Sequence, residues 1–151
     1  MRKLFSGLTS LLLIYSTASS NLAYGQYGNL TINKDQIISI YDGDTLSINV
    51  PAWTPIIGEH IGIRIVGIDT PEIHGACPEE IALAKKAKDF LRNSIVSAKK
   101  IELKNMDRDK YFRIDAELWI DDKNIGDALI NANLAHVYAG GTKIKWCKTE
   151  K

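Results

Sequence analysis

Hydrophobic and polar positions alternate along the chain in a pattern that predicts three β-strands at the start of the folded region. Residues 37–41 and 46–50 flank an Asp-Gly turn, and the second of these runs alternates strictly between apolar and polar side chains. Residues 61–68 are nearly all apolar, which is typical of a strand buried on both faces. Prolines and a glycine interrupt the pattern between the second and third strands, so we expect residues 51–59 to form a loop.

A helix follows these strands. It is predicted to begin at Pro78, because proline fits the first helical turn and because Glu79 and Glu80 face the positive end of the helix dipole. Apolar side chains then recur on one helical face. They are Leu83, Ala87, Phe90, Leu91 and Ile95.

The second half of the chain returns to strand patterns. Residues 100–104 and 111–120 are predicted strands, separated by a polar turn at residues 105–110. A turn at residues 121–124 leads into a short helix at residues 127–133. Three strands, a helix, two strands and a helix predict a mainly β fold with helices (α+β), in which a small closed barrel of the OB type forms a single domain.

The first 25 residues have the layout of a secretory signal peptide: a short basic start, an apolar run, then small and polar residues. The apolar run at residues 4–15 is shorter than the ~20 residues that a membrane-spanning helix needs. Ala23 and Gly25 favour a cut before Gln26, and Ser16-Thr17-Ala18 offers a second cut. A retained membrane anchor or a frayed apolar tail is the alternative interpretation.

We therefore expect an exported protein, periplasmic or extracellular, whose chain has four parts. They are a signal peptide at residues 1–25, a short lead-in at 26–35, a single domain at 36–147 and a tail at 148–151. Removal of the signal peptide leaves 126 residues, which is enough for a hydrophobic core.

Charge does not point to a particular class of partner. The chain has 19 Lys and Arg against 18 Asp and Glu, and loss of Arg2 and Lys3 with the signal peptide changes the net charge from +1 to −1. Nucleic-acid binders often carry a strong basic excess, so binding of that kind would depend on a local cluster of basic side chains.

Two cysteines, Cys77 and Cys147, lie in the expected mature chain. An even count in an exported protein favours a disulfide. A bond that closes this 70-residue loop would stabilise the fold by roughly 4 kcal/mol in the chain-entropy description. Two free thiols are the alternative, which the spacing of the cysteines does not exclude.

Asp44 is an unexpected carboxylate at the end of a buried row of side chains. It shares parity with Leu46, Ile48 and Val50 on the predicted second strand, so it is expected to face inward. A buried carboxylate is costly without a partner, and a cation is one candidate. Asp42, by contrast, needs no role beyond the turn.

More charged side chains stand at the ends of the later strands. Arg64 lies inside an apolar strand, and Asp69 and Glu72 follow it. Arg64 and Asp69 have opposite parity, so a bulge at Gly67 or an early end of the strand is needed to bring them together. Arg113 leads into another apolar strand.

These charged groups suit the hydrolysis of a phosphodiester. Two carboxylates would bind a hard cation, a third would act on a water molecule, and two arginines would bind phosphate. Calcium accepts oxygen ligands and leaves positions open for water and phosphate. A carboxylate acts as a general base, and arginine binds phosphate oxygens through two donors. Each such residue alone is more often a surface charge or a support of the fold, so the set is a hypothesis at this stage.

Three ordered stretches resemble the signature of the staphylococcal (micrococcal) nuclease family. They are Asp42-Gly43-Asp44-Thr45, then Arg64 through Asp69-Thr70-Pro71-Glu72, then Asp109-Lys110-Tyr111-Phe112-Arg113. The likeness covers about residues 36–140, which is nearly the whole expected mature domain. One of these stretches would be weak support, whereas the ordered set is specific.

The resemblance implies a five-stranded OB-like barrel with about three helices, and it implies a role for each site residue. Asp44 and Asp69 resemble the calcium carboxylates, with the Thr70 backbone carbonyl as a further ligand. Glu72 resembles the residue that activates or orients the attacking water. The arginines that resemble the phosphate-binding pair are Arg64 and Arg113, and the residues that resemble substrate contacts are Lys110, Tyr111 and, approximately, Tyr138.

The function implied by this resemblance is calcium-dependent hydrolysis of DNA and RNA to 3′-phosphate ends. One calcium ion and a monomer without a stable protein partner are expected. A disulfide between Cys77 and Cys147 would tie the tail near Trp146 to the start of the helix.

The chain also departs from the family pattern. Phe112 stands where the family usually has glycine, the stretch after Glu72 is short, and residues 51–59 are an insertion. An OB module that binds nucleic acid or a partner without cutting is therefore an alternative, although none of the five charged site residues is lost. A non-nuclease exported accessory protein is a third alternative, which nothing in the residues favours and which fold alone does not forbid.

Overall fold

The structure, a computed structural model, describes residues 27–147. The predicted signal peptide and the tail at residues 148–151 lie outside the described residues, as do both candidate cleavage sites. Within residues 27–147, no helix is long and apolar enough to cross a membrane.

Nine strands and three α-helices form within the described part of the chain. The strands are β1 (Leu30–Ile32), β2 (Ile37–Ile40), β3 (Thr45–Ile48), β4 (Ile61–Ile65), β5 (Ile68–Asp69), β6 (Ile101–Arg108), β7 (Ile114–Ile120), β8 (Lys123–Asn124) and β9 (His136–Val137). The helices are α1 (Pro55–Gly58), α2 (Pro78–Ser97) and α3 (Ile125–Asn131), and a short 3-10 helix spans Lys34–Gln36.

The main sheet curls into a half-barrel with the strand order β1-β6-β7-β4-β3-β2, and β8 pairs with β7. The pair β4 and β7 is parallel, and the other pairs of this sheet are antiparallel. A separate two-stranded sheet joins β5 to β9. The predicted mixed α+β, OB-like single domain with three helices is confirmed.

The core forms where alternate strand residues face the inside of the curled sheet. Along β7 every second side chain is buried, from Ile114 to Ile120. Helix α2 contributes Ala87, Leu91 and Ile95 to the same core, so three residues of the predicted helical stripe are confirmed as buried. The other two, Leu83 and Phe90, pack against the core while partly exposed.

Three predicted boundaries were wrong for local reasons. Strand β6 continues to Arg108, into the polar turn predicted at residues 105–110, because a bulge between Lys104 and Asp107 breaks the alternation without ending the pairing. Strand β7 begins at Ile114 instead of residue 111, since residues 109–113 form the connecting turn. The expected loop at residues 51–59 contains the single turn of α1.

The third predicted strand also ends early, and the turn that follows it determines where the segment with Asp69 lies. Strand β4 stops at Ile65, and the chain turns at Val66-Gly67, where Gly67 has a positive φ of 81°. The segment at residues 26–35, expected to be a short lead-in, contains strand β1, which pairs with β6. Its three-residue length gave too little alternation to predict it as a strand.

Candidate active site

The turn between β2 and β3 carries two buried carboxylates. Asp42 and Asp44 are 4% and 5% exposed. Asp42 Oδ1 accepts the Asp44 backbone N–H at 3.1 Å, and Asp44 Oδ1 accepts the Thr45 hydroxyl at 2.9 Å. A Cβ on Gly43 would lie 2.7 Å from Ala87 Cβ, so the glycine lets this turn pack directly on α2. The predicted inward position of Asp44 is confirmed.

Asp44 also holds the segment that follows β4. Its Oδ2 accepts the Thr70 backbone N–H at 2.9 Å and lies 3.1 Å from Nη1 of Arg64. The Arg64 guanidinium donates in addition to the carbonyl oxygens of Ile65 and Ile68, both at 2.7 Å. Arg64 therefore bridges the turn at Gly67. Because β4 ends before this turn, the opposite parity of Arg64 and Asp69 does not keep Arg64 away from the segment that carries Asp69.

Asp69 and Glu72 share a lysine from the far end of the chain. Lys143 Nζ lies 2.8 Å from Asp69 Oδ1 and donates to Glu72 Oε1 at 2.9 Å. Asp69 is only 2% exposed, and its Oδ1 accepts no well-directed hydrogen bond. Its contact with Lys143 is therefore an ion pair without a hydrogen bond. Burial lowers the pKa of Lys143, but the two carboxylates outweigh it and raise that pKa.

Arg113 belongs to the turn between β6 and β7. Its Nε donates to Asp109 Oδ2 at 2.7 Å, while Asp109 Oδ1 accepts the backbone N–H groups of Tyr111 and Arg113. Burial alone would raise the pKa of Asp109, but these hydrogen bonds and the arginine charge lower it. The carboxylate therefore fixes both the turn and the base of the Arg113 side chain.

Phe112 occupies this turn with a positive φ of 65°, a conformation that favours glycine. The glycine that the resemblance leads us to expect at this position would adopt this φ without strain. The Phe112 ring is half-exposed and lies 4.0 Å from the Arg108 guanidinium carbon. Arg113 keeps its ion pair with Asp109 despite the substitution.

Two cavities divide the predicted site residues. Arg64, Arg113 and Tyr138 line one cavity of about 380 Å³. Asp69 and Glu72 line another of about 450 Å³, together with residues of the C-terminal segment. Asp44 lines neither cavity, but it pairs with Arg64 of the first and accepts the N–H of Thr70, the neighbour of Asp69 in the second.

Lys110 and Tyr111 lie outside the two cavities. Both side chains are exposed, with Lys110 Nζ 5.0 Å and the Arg113 guanidinium carbon 5.5 Å from the centre of the Tyr111 ring. Tyr138, the more approximate prediction, lines the arginine cavity and donates its backbone N–H to the carbonyl of Gly67.

Glu80 is a buried residue of the site whose role the sequence did not reveal. Its carboxylate accepts the backbone N–H of Ala76 at 2.8 Å and that of Glu72 at 3.4 Å. A Cβ on Gly75 would lie 2.5 Å from the Glu80 carboxylate carbon. Its place in the first helical turn is the available signal in the sequence, and that place predicts only an interaction with the helix dipole.

The disulfide is formed between Cys77 and Cys147, with the two Cα atoms 5.9 Å apart. The alternative of two free thiols is therefore wrong. Trp146 stacks on His136 with ring centres 3.9 Å apart, as a second attachment of the C-terminal end. Glu80 lies near both sulfur atoms, but sulfurs bonded to each other do not form a thiolate metal site.

The half-barrel sheet with three helices carries buried carboxylates beside an arginine, and together they define an OB-like domain of the nuclease type. The chain belongs to the staphylococcal nuclease homologue family, whose family model matches residues 62–150. The match includes Arg64, Asp69, Glu72 and Arg113 and begins after the turn that carries Asp44.

Three curated relatives are similar to this chain. A thermonuclease of Staphylococcus hyicus is 23% identical over 143 residues, which cover 89% of this chain and 81% of the relative. A probable endonuclease of Schizosaccharomyces pombe is 32% identical over 100 residues, covering 62% of this chain and 43% of the relative. A probable endonuclease of Phaeosphaeria nodorum is 32% identical over 80 residues, covering 50% and 27%. The similarity to the two fungal proteins spans less than half of their length.

The residues present fit a hard divalent cation. Asp44 and Asp69 are both buried carboxylates, and the Thr70 amide bonded to Asp44 joins their segments. Asp69 Oδ1 is a buried oxygen whose partner is already a cation, the Lys143 ammonium at 2.8 Å, so positive charge is favourable at this point. Oxygen donors of this kind suit calcium.

Replacement of Phe112 tests the strain in the arginine turn. We expect the free energy of unfolding of Phe112→Gly to be about 1 kcal/mol higher than that of Phe112→Ala. A positive φ is unfavourable for alanine, whereas glycine adopts it without strain. Both variants lose the ring that contacts Arg108, so the comparison isolates the backbone. Urea unfolding of the two variants measures the difference. A glycine variant no more stable than the alanine variant would contradict the strain.

The Asp42 carboxyl predicts a pH dependence of the metal-free protein. Burial and then the charge of Asp44 raise its pKa to about 7, against ~3.9 in an unfolded chain. The folded state thus retains a proton that the unfolded state releases, so the free energy of unfolding falls as the pH rises from about 4 to 7 and then levels off.

Asp42→Asn should remove this dependence while keeping the side-chain oxygen that accepts the Asp44 N–H. Between pH 4.5 and 8 we expect the native protein to lose at least about 1 kcal/mol more stability than the variant. Urea unfolding at several pH values, with divalent metals removed, measures both curves. Parallel curves would show that Asp42 does not titrate as its burial requires.

Proposed function

We propose that this protein is an exported, calcium-dependent nuclease that hydrolyses phosphodiester bonds of DNA and RNA and leaves 3′-phosphate ends. Family membership and the named relatives support a nuclease. The observation that carries the proposal is the meeting of buried Asp44 with Arg64 and Thr70, which brings acidic and cationic groups of three segments to one site.

Asp44, Asp69 and the Thr70 carbonyl would hold the calcium ion. When bound, calcium supplies stabilisation of the negative charge that develops on the phosphoryl oxygens. Burial of the two carboxylates keeps water from competing for them, and the Arg64 ion pair orients Asp44. These side chains therefore form a pre-organised acidic end of the site.

Glu72 is the residue proposed to take the proton of the attacking water. Its side chain is half-exposed, which gives water access, and its Oε1 is held by Lys143. The backbone N–H of Glu72 faces Glu80, so the buried carboxylate anchors the segment while the Glu72 side chain remains available. A positioned carboxylate of this kind acts as a general base.

Arg113 and Arg64 are proposed to bind the phosphate. Asp109 holds the Nε of Arg113, and among the described residues the terminal Nη atoms of Arg113 form no hydrogen bond. They remain free for two phosphate oxygens in the cavity shared with Arg64. In that cavity the arginines would offset charge as the bond to the leaving oxygen breaks.

The nucleotide contacts proposed for Lys110, Tyr111 and Tyr138 lie next to this phosphate site: Tyr138 lines its cavity, and the Tyr111 ring lies beside Arg113. Bases stack on exposed aromatic rings, and single-stranded nucleic acid is the form whose bases are free to do so. Lys110 and Arg113 lie near the Tyr111 ring. They form a local basic cluster in a chain whose overall net charge is near zero. A monomer is proposed as the active form.

Export is proposed from the signal-peptide pattern at residues 1–25. The Cys77–Cys147 disulfide supports it, because such bonds persist in oxidising compartments. The periplasm and the medium both fit this chemistry.

Glu72→Gln tests the enzyme directly. We expect the initial rate of single-stranded DNA cleavage to fall by about 100-fold or more, because the amide accepts no proton from water. The assay uses the oxidised mature protein with calcium, and gel analysis with end labelling tests for 3′-phosphate products. The matched control is Glu79→Gln, an exposed glutamate on the first turn of α2, which should keep the native rate.

Two outcomes would contradict the proposal. A Glu72→Gln variant that cuts as fast as the control would remove Glu72 from the reaction. A native protein that is folded, binds oligonucleotide and cuts neither DNA nor RNA under any divalent metal would be a binding module instead.

A further inference from the structure

Lys143 occupies a position that the proposed reaction does not explain. Its single ammonium group contacts Asp69, a proposed calcium ligand, and Glu72, the proposed base, at 2.8 and 2.9 Å. The contacts join residues 74 and 71 positions apart in the sequence, so they depend on tertiary structure. An ammonium group at this distance from both carboxylates is a monovalent cation in the acidic end of the site.

The C-terminal segment, residues 138–147, is fastened at both ends, so Lys143 does not reach the site by chance. At its start, the Tyr138 N–H donates to the Gly67 carbonyl and the Tyr138 hydroxyl donates to the Gly141 carbonyl. At its end, the disulfide joins Cys147 to Cys77 at the start of α2.

Between these attachments the chain bends at two glycines. Gly140 and Gly141 have φ values of 94° and 89°, which glycine adopts without strain. The Trp146 ring, stacked on His136, fixes the chain three residues after Lys143. Since His136 pairs with Asp69 across β5 and β9, the segment is attached to the strand that carries the acidic ligand.

Burial decides whether this ion pair matters. Ion pairs between exposed side chains contribute little, because water screens them. Lys143 is about half-exposed, but the Asp69 side chain is only 3% exposed. A buried carboxylate without a cation is strongly unfavourable, so the lysine stabilises the metal-free protein at this point.

We propose that Lys143 is an internal counter-ion that competes with calcium for Asp69 and sets the calcium affinity of the site. This inference rests on the proposed function, because it takes Asp69 as a calcium ligand. Calcium binding breaks the Lys143–Asp69 ion pair, and the disulfide keeps the ammonium near enough to return when the ion leaves. The cost of displacing the lysine weakens calcium binding, while the same contact supports the fold without calcium.

Lys143→Met tests the competition by calorimetric titration of the oxidised mature protein with calcium. We expect the dissociation constant of the variant to be about tenfold lower or more, because calcium no longer displaces a cation. Lys143→Arg keeps the charge and should remain near the native value. Lys145→Met is the matched control, since it removes the same charge from another exposed lysine of the cavity that Asp69 and Glu72 line, and this lysine pairs with neither carboxylate.

Thermal unfolding supplies a second readout. With chelator, Lys143→Met should melt below the native protein because Asp69 has lost its cation. With saturating calcium, the two melting temperatures should converge, since calcium replaces the lysine in both. Lys145→Met should follow the native protein in both conditions.

Failure of this inference is distinguishable from failure of the proposed function. Suppose that the native protein binds calcium and cuts DNA. An unchanged or weaker calcium affinity of the Lys143→Met variant would then overturn the competition alone. A tighter affinity in Lys143→Met and Lys145→Met alike would also overturn it, because the effect would be general charge. Absence of calcium binding in the native protein and all variants would overturn both the competition and the calcium site.

Discussion

The site depends on the contacts of one buried carboxylate, that of Asp44. It accepts the Thr70 N–H and pairs with Arg64, and so connects the start of β3, the end of β4 and the segment of Asp69. A buried carboxylate must be matched by donors and cations, because its desolvation is costly. That requirement holds three segments at one end of the barrel. The glycine beside Asp44 matters for the same reason, since it lets the turn approach α2 and Thr70.

Charge balance governs the rest of the site in the same way. Arg64 is matched by Asp44, Arg113 by Asp109, and Asp69 with Glu72 by Lys143. Each proposed functional group is thus held by a partner before substrate arrives. Pre-organisation of this kind lowers the reorganisation required during reaction, at the cost of contacts that ligands must displace. The Lys143 contact is the clearest case, because its place is the one proposed for calcium.

The sequence predicted much of the fold, and local features of the chain explain where it failed. Parity along one strand placed Asp44 correctly, and the apolar stripe located α2. Parity alone did not resolve how Arg64 reaches the acidic segment, because the answer lies in the turn at Gly67 with its positive φ. The bulge near Asn105, whose φ is 53°, likewise hid the full length of β6.

The resemblance identified the charged residues, but not the partners that hold them. Glu80 and Lys143 were missed, since a glutamate in a first helical turn and a lysine in a polar tail have ordinary surface roles in most proteins. Lys143 reaches its place through the disulfide and the Trp146–His136 stack, and such contacts follow from tertiary structure.

The central claim is that calcium on the buried carboxylates makes this barrel a nuclease. The measurement that tests it most directly is the initial rate of single-stranded DNA and RNA cleavage by the oxidised mature protein as calcium is titrated and then removed by chelator. The account predicts a rate that rises with calcium to saturation and falls to background with chelator. A rate that is independent of calcium and chelator, or no cleavage at any calcium concentration by protein shown to be folded, would contradict it.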